Sequence, residues 1–323
     1  MSQLVLTLTH NSNNNMTYLN NFKNLSTILI IIYCFIDDFI KGIVNTIQYA
    51  LKRPDQNSPP TKKHNLNLSE LISMGIFRFF TGHKNWKDYY KFISNYHSND
   101  FKDLPNYKNF LEAINKTSCF ALIILTYLMK FFKSNTEISD LKLADSTKLK
   151  VCENKREFTH KVCKNIAGKG KGSMGWFYGF KLHVISNELM QILSLTISTG
   201  NTDDRKGLDK IWNDIFGMII ADAGYLGKNW IDKAQSLGKH LFTAVKANMK
   251  KLMTSAQHEL LKIRQKVETV FSVLKLRMGI ETTLPRSPLG YFSHYIWCLT
   301  AYQLDQYFRH IFTKKLDFNR FLA

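Results

Sequence analysis

The stretch Met218-Ile219-Ile220-Ala221-Asp222-Ala223-Gly224-Tyr225 decides the reading of this chain. An apolar run of strand length ends in an aspartate, and a glycine then turns the backbone. The ends of strands are where α/β domains place reactive groups, although Asp-x-Gly is also an ordinary turn signal. A second strand-like run, Leu141-Lys142-Leu143-Ala144-Asp145, ends the same way. Strand side chains alternate, so Asp145 shares a face with Leu141 and Leu143. A carboxylate on a core-facing row is costly unless a positive group answers it. Ser146 and Thr147 follow, so Asp145 also suits the cap of a turn.

Around these two runs the segment 138–284 alternates short β-rich stretches with helical patterns. Strands are predicted at 141–144, 176–185, 191–198, 218–221 and 240–245, and helices at 206–216, 228–237 and 255–278. Three strands, then helix, strand, helix, strand and helix make a mixed α/β domain. The preceding segment is all helical: 18–51, 67–80, 84–96 and 107–133 carry apolar residues at helical spacing. Ser69 is placed to cap the second of these helices. A polar, Asn-rich leader covers 1–17, so the helical domain spans 18–137. The segment 285–323 is a helical C-terminal tail with its helix at about 289–312. No internal repeat is present.

Composition narrows the function classes. Of 323 residues, 45% are hydrophobic and 13% aromatic, enough for a packed core and against disorder. The formal charge is +19, of which +11 falls over 141–281 and +5 over 1–140. Such a surplus favours a polyanionic partner, nucleic acid or an anionic membrane surface. The apolar runs 28–36 and 118–129 fall short of the roughly 20 residues that span a bilayer, and both read as buried helices. No secretory leader pattern opens the chain, and a soluble, cytoplasmic protein is expected. Cys34, Cys119, Cys152, Cys163 and Cys298 are odd in number and scattered, which argues for a reducing compartment. Cys152, His160 and Cys163 lack a fourth ligand at zinc spacing.

The 255–278 helix carries a further pattern. Leu260, Ile263, Val267, Val270 and Leu274 form its buried stripe. Arg264, Glu268 and Lys275 line a second stripe beside it, because at about 100° per residue their offsets nearly coincide. A solvated ion-pair ladder accounts for the same spacing.

Taken together, ADST (144–147), IADAGY (220–225) and Arg264-QKV-Glu268-TVFSVL-Lys275 resemble the catalytic core of the DDE transposases of bacterial insertion sequences. HKV (160–162), GWFYGFKLH (175–183) and GNTDDR (200–205) make the insertion-sequence nine-eighty-two group the most similar. The leader stretches YCFIDDF (33–39) and GHKNWKDYY (82–90) resemble that group more loosely. Leu261 stands where many relatives have tyrosine, and Ala223 where a basic residue is common.

The resemblance implies a ribonuclease-H-like mixed sheet, with Asp145 and Asp222 on neighbouring strands and Glu268 on a facing helix. These three acids are then the catalytic residues and the ligands of two Mg²⁺ ions, with Mn²⁺ as substitute. The implied activity is cleavage at the element's ends and transfer of the 3′-hydroxyls into target DNA. The implied partners are the element's terminal repeats, target DNA and a second copy of the chain, in the bacterial cytoplasm and without a membrane. A catalytically inactive DNA-binding regulator and a nuclease of the same fold are the alternatives.

Several basic residues suit DNA contact. Nine Lys/Arg and two Glu lie over 148–181, which includes Gly168-Lys169-Gly170-Lys171-Gly172. Glycines let backbone approach phosphates and lysines displace counterions; a solvated hairpin is the plainer reading. Lys169, Lys171, Arg264, Lys275, Lys246 and Lys250 are the candidates. Trp176, Phe177 and Tyr178 read as strand core, Asp203 to Arg205 as a helix cap and ion pair, and His160 and His183 as local hydrogen bonders.

Overall fold

A computed structural model describes residues 25–51, 66–101, 103–135, 140–172, 175–225, 228–243, 254–281 and 285–321. The expected leader over 1–17, residues 52–65, and the DNA-contact candidates Lys246 and Lys250 lie outside them. The chain divides into two compact units, Met1–Ile123 with Ile296–Ala323, and Ile124–Tyr295. Helical regions at both ends of the chain flank a mixed α/β centre.

In the first unit lie α1 (Leu25–Leu51), α2 (Leu68–Phe77), α3 (Trp86–Tyr96) and the start of α4 (Tyr107–Ser134). Its chain also includes most of the C-terminal helix Pro288–Phe321. On α1, Ile28, Ile32, Ile36 and Ile40 recur every four residues and are buried, the stripe of an amphipathic helix. The cap of α2 is Asn67, whose side chain accepts from the Glu70 amide while Glu70 reaches back to the Asn67 amide. Ser69, the expected cap, lies one residue inside the helix and donates to Asp37 instead, at 2.9 Å. Gly75 admits the Trp297 ring, where a Cβ would stand 2.8 Å from it. Arg78 is fully buried between the Phe79 and Trp86 rings.

The second unit is built on a six-stranded sheet: β1 (Leu141–Cys152), β2 (Gly168–Gly172), β3 (Gly175–Asn187), β4 (Ile192–Thr199), β5 (Met218–Ala221) and β6 (His240–Thr243). The order runs β2-β3-β1-β5-β6, with β4 also on β3. β3 is antiparallel to β1, β2 and β4, whereas β1, β5 and β6 are parallel. Ile219, Ile220 and Ala221 are fully buried, as a central parallel strand requires. The short α5 (Asp204–Asp209) packs on β1, β3 and β4. Next come α6 (Lys228–Ser236), beside β6, and α7 (Ser255–Ser272), which packs on β1 and β5. The C-terminal helix Pro288–Phe321 is α8.

Four elements differ from the sequence expectation, one being the C-terminal helix, which runs on to Phe321 instead of ending near 312. β1 does not stop at Ala144; its pairing with β3 continues to Cys152 after its partner β5 has ended, so Asp145 sits within a strand. β2 was hidden in the glycine-lysine run, whose composition disfavours strands. The helix expected over 206–216 lasts only six residues and gives way to turns that bury Ile211, Trp212 and Ile215. The long final pattern is α7 followed by a π-helical turn, Val273–Arg277. The apolar run at 118–129 lies in α4, which has 28 residues and is long and apolar enough to cross a membrane. Its residues Ile124, Leu125, Leu128 and Phe132 are buried within the second unit.

β2 depends on its glycines. A Cβ on Gly170 would stand 2.0 Å from the Gly200 carbonyl oxygen, whereas on Gly172 it would meet nothing nearer than 3.9 Å. Gly170→Ala is expected to destabilise the protein by about 1–3 kcal/mol, and Gly172→Ala by no more than about 0.5 kcal/mol, both read from the urea midpoint.

Candidate active site

Strand register brings the two aspartates together. The parallel pairing of β1 and β5 ends at Ala144 opposite Ala221. Asp145 and Asp222 are the next residue of each chain segment, so both acids lie just past the C-terminal end of β5. Asp145 is held by the Ser146 amide at 2.7 Å, and Asp222 by the Ala223 amide at 2.8 Å. The backbone then turns through Ala223–Tyr225, which buries the Tyr225 ring.

α7 supplies the third acid. Val267 and Val270 are buried on its inner face, and Arg264 and Glu268 flank that stripe. The Arg264 guanidinium donates to Asp145 at 3.3 Å and to Glu268 at 2.9 Å. It therefore bridges an acid of the sheet and an acid of the helix. Asp145 is 19% exposed and Glu268 54%; Asp222 is exposed. Burial pushes the Asp145 carboxyl up to about 6, with Asp222 and Glu268 pushing the same way and the Ser146 amide and Arg264 opposing. The three carboxylates thus share one electrostatic neighbourhood.

All three offer hard carboxylate oxygen, the donor that Mg²⁺ and Mn²⁺ prefer. A cation would also offset the cost of an ionised, buried Asp145 beside two acids. By donor chemistry these residues fit a divalent ion. Among the described residues no group of three or more His, Cys, Asp or Glu is closed into a metal-holding set. In this conformation a guanidinium supplies the positive charge.

On the other face of β1, Asp204 accepts from Ser146 Oγ at 2.7 Å and from Lys181 Nζ at 3.0 Å. This pair is absent from the sequence reading, which took Asp203 to Arg205 as one unit. Asp203 does cap α5 and pairs with Arg205 at 2.9 Å. His183, buried, meets Ser198 Oγ at 2.8 Å, and burial lowers its pKa to about 4. Cys152, His160 and Cys163 form no metal group among the described residues.

The basic candidates part company. Lys275 donates to the Lys148 carbonyl at 2.7 Å and faces Glu281 at 3.5 Å, tying the π-helical turn to β1. Lys169 and Lys171 are exposed on β2. Phe177 and Tyr178 are buried, as expected, but Trp176 is 54% exposed. It lies on the outer face because Phe177 takes the inner one, against Gly170 and Gly200.

Residues 135–288 match the family model of the transposase DDE domain. This stretch, which contains Asp145, Asp222 and Glu268, is therefore similar to a transposase DDE domain. Domains of this family generally use divalent metals and act on DNA. Comparison with curated proteins gives no significant match.

The raised pKa of Asp145 fixes a sign. The folded carboxyl keeps its proton to about 6, the unfolded one releases it near 3.8. Between these values the native state binds more protons, so ionising Asp145 costs stability as pH rises. With chelator present, Asp145→Asn is expected to raise the urea midpoint above pH 6 and to leave it unchanged below pH 3.8. An equal effect at both ends would contradict this.

Proposed function

We propose that this protein is a metal-dependent transposase that cuts DNA at the ends of its own element and joins the freed strands to target DNA. The reading is supported by the register that sets Asp145 and Asp222 just past the end of one parallel strand pair, and by Arg264, which reaches both Asp145 and Glu268 from the helix packed on those strands. Asp145, Asp222 and Glu268 would hold two Mg²⁺ ions, or Mn²⁺ in their place. When bound, such ions activate the attacking oxygen and stabilise the leaving one in phosphoryl transfer.

The remaining work falls to the chain. The amides of Ser146 and Ala223 orient Oδ1 of each aspartate; Oδ2 of Asp222 would be left for a cation, and Oδ2 of Asp145 once Arg264 turns away from it. Arg264 neutralises Asp145 and Glu268 before the ligands arrive, and its guanidinium is then available to a phosphate. Lys169 and Lys171 reach phosphate from the β2 edge, with Lys246 and Lys250 assigned the same role. Lys275 contacts DNA only if it exchanges the Lys148 carbonyl for a phosphate oxygen. Strands β1, β5 and β6 running parallel, with β3 antiparallel on the far side of β1, support a ribonuclease-H-like sheet. The local motifs support the nine-eighty-two group. The helical segments before and after the sheet are assigned to end recognition and to pairing two copies of the chain, since joining two ends needs two sites. The place of action is the bacterial cytoplasm.

The test is nicking and strand transfer on DNA carrying the element's ends, with Mg²⁺ or Mn²⁺. Wild type is expected to cut and join; Glu268→Gln, Asp145→Asn and Asp222→Asn should each lose about two orders of magnitude or more, at least the loss seen on disturbing a metal site's surroundings. Full activity in any variant would remove that residue from the set. Cutting without joining would leave a nuclease, and binding without cutting a DNA-binding regulator.

A further inference from the structure

The outer face of the β2–β3 hairpin is built unlike the rest of the sheet. Its inner face is closed: Gly170 abuts the Gly200 carbonyl and the Phe177 ring, and Gly168 the Asn201 side chain. Every side chain β2 possesses therefore points outward, and both are lysines. Lys171 lies directly across from Trp176, and Lys169 across from Tyr178. Beside them the short helical turn Asn154–Thr159 presents Phe158, 87% exposed. Lys169 Nζ sits 6.0 Å from the Phe158 ring centre and 5.9 Å from that of Trp176, and Lys171 Nζ 5.9 Å from Trp176.

The arrangement is fixed at several points. Asn154 Nδ2 donates to the Trp176 carbonyl at 2.8 Å. Lys169 pairs with Glu157 at 2.8 Å, which sets the ammonium between the two rings. Among the described residues Lys171 is in no ion pair, so its charge faces outward. An exposed indole bracketed by two ammonium groups on paired strands offers stacking and charge together. Single-stranded nucleic acid takes both, since each base has a π-face and each linkage a phosphate. Duplex DNA stacks its bases on one another and offers only the phosphates. The segment 148–181, with nine basic and two acidic residues, has the complementary charge.

We propose that Trp176, flanked by Lys169 and Lys171, is a stacking platform for an unpaired base of single-stranded DNA, with the lysines on the phosphates either side. The proposal rests on the reading that this chain acts on DNA, and deepens it: the hairpin holds a strand that has left its duplex. Phe158 offers a second, neighbouring ring for the next base.

The test uses the full chain, a labelled oligothymidylate and a labelled duplex of equal length, with binding followed by anisotropy across a salt series. Trp176→Ala is expected to weaken single-strand binding about tenfold, the usual loss for one stacked base, and to change duplex binding less than about twofold. Trp176→Phe should recover most of the loss. The double variant Lys169→Gln, Lys171→Gln should reduce the single-strand salt slope by about 1.4, from about 0.7 per charge. Trp176 is exposed, so its variants should keep the wild-type urea midpoint, which guards against misfolding. Unchanged single-strand binding, or equal loss on both substrates, would overturn the platform while leaving the function standing. Failure of wild type to bind either DNA would overturn the underlying reading as well.

Discussion

A carboxylate that is four-fifths buried and has two more beside it needs positive charge, and much of the second unit is arranged around that need. Asp145 lies on β1, and the response comes from α7, whose Arg264 reaches it at 3.3 Å and Glu268 at 2.9 Å. Breaking either end would leave an uncompensated charge on the other side. Burial still dominates, and the Asp145 carboxyl remains raised to about 6. A proton relieves this tension below about pH 6; above it, the proposed divalent ion would do so. The proposed chemistry and the structural strain have the same origin.

The sheet sets this tension by register. β5 has four residues, and its end opposite Ala144 leaves Asp145 as the first β1 residue with no parallel neighbour. A one-residue slip would send Asp145 to the opposite face, where Ser146, Lys181 and His183 already gather around Asp204. β3, antiparallel to β1 over ten paired positions, holds the strand against that slip. The hairpin that carries Trp176 belongs to the same β3, so both surfaces share one rigid strand.

Much of this was legible in the letters. The apolar run 218–221 matches β5 in extent, and the ends of α3 and α4 fall within two residues of their expected bounds. The spacing of Arg264 and Glu268 on one stripe becomes a direct ion pair. What could not be read is non-local. β1 outlasts its expected end because β3 pairs with it, a fact of partner length that no local pattern carries. β2 was missed because three glycines in five residues argue against a strand, and the close approach of the Gly200 carbonyl that requires one of them, Gly170, is non-local. Trp176 was assigned to the core with its neighbours, since alternation fixes which faces differ but not which of them is covered. Lys275 lies in the π-helical turn, not on the regular helix whose stripe it was expected to share, and its ammonium turns to the Lys148 carbonyl.

Asp145, Asp222 and Glu268 are proposed to form one cation site. Calorimetric titration of Mn²⁺ into the metal-free full chain near pH 6, in two buffers of different ionisation heat, tests it most directly. Saturable binding with proton release, lost in Asp145→Asn and weakened in Glu268→Gln, is the predicted result, because the ion must displace the proton that burial keeps on Asp145. Binding of equal strength in wild type and both variants, with no proton released, would contradict it.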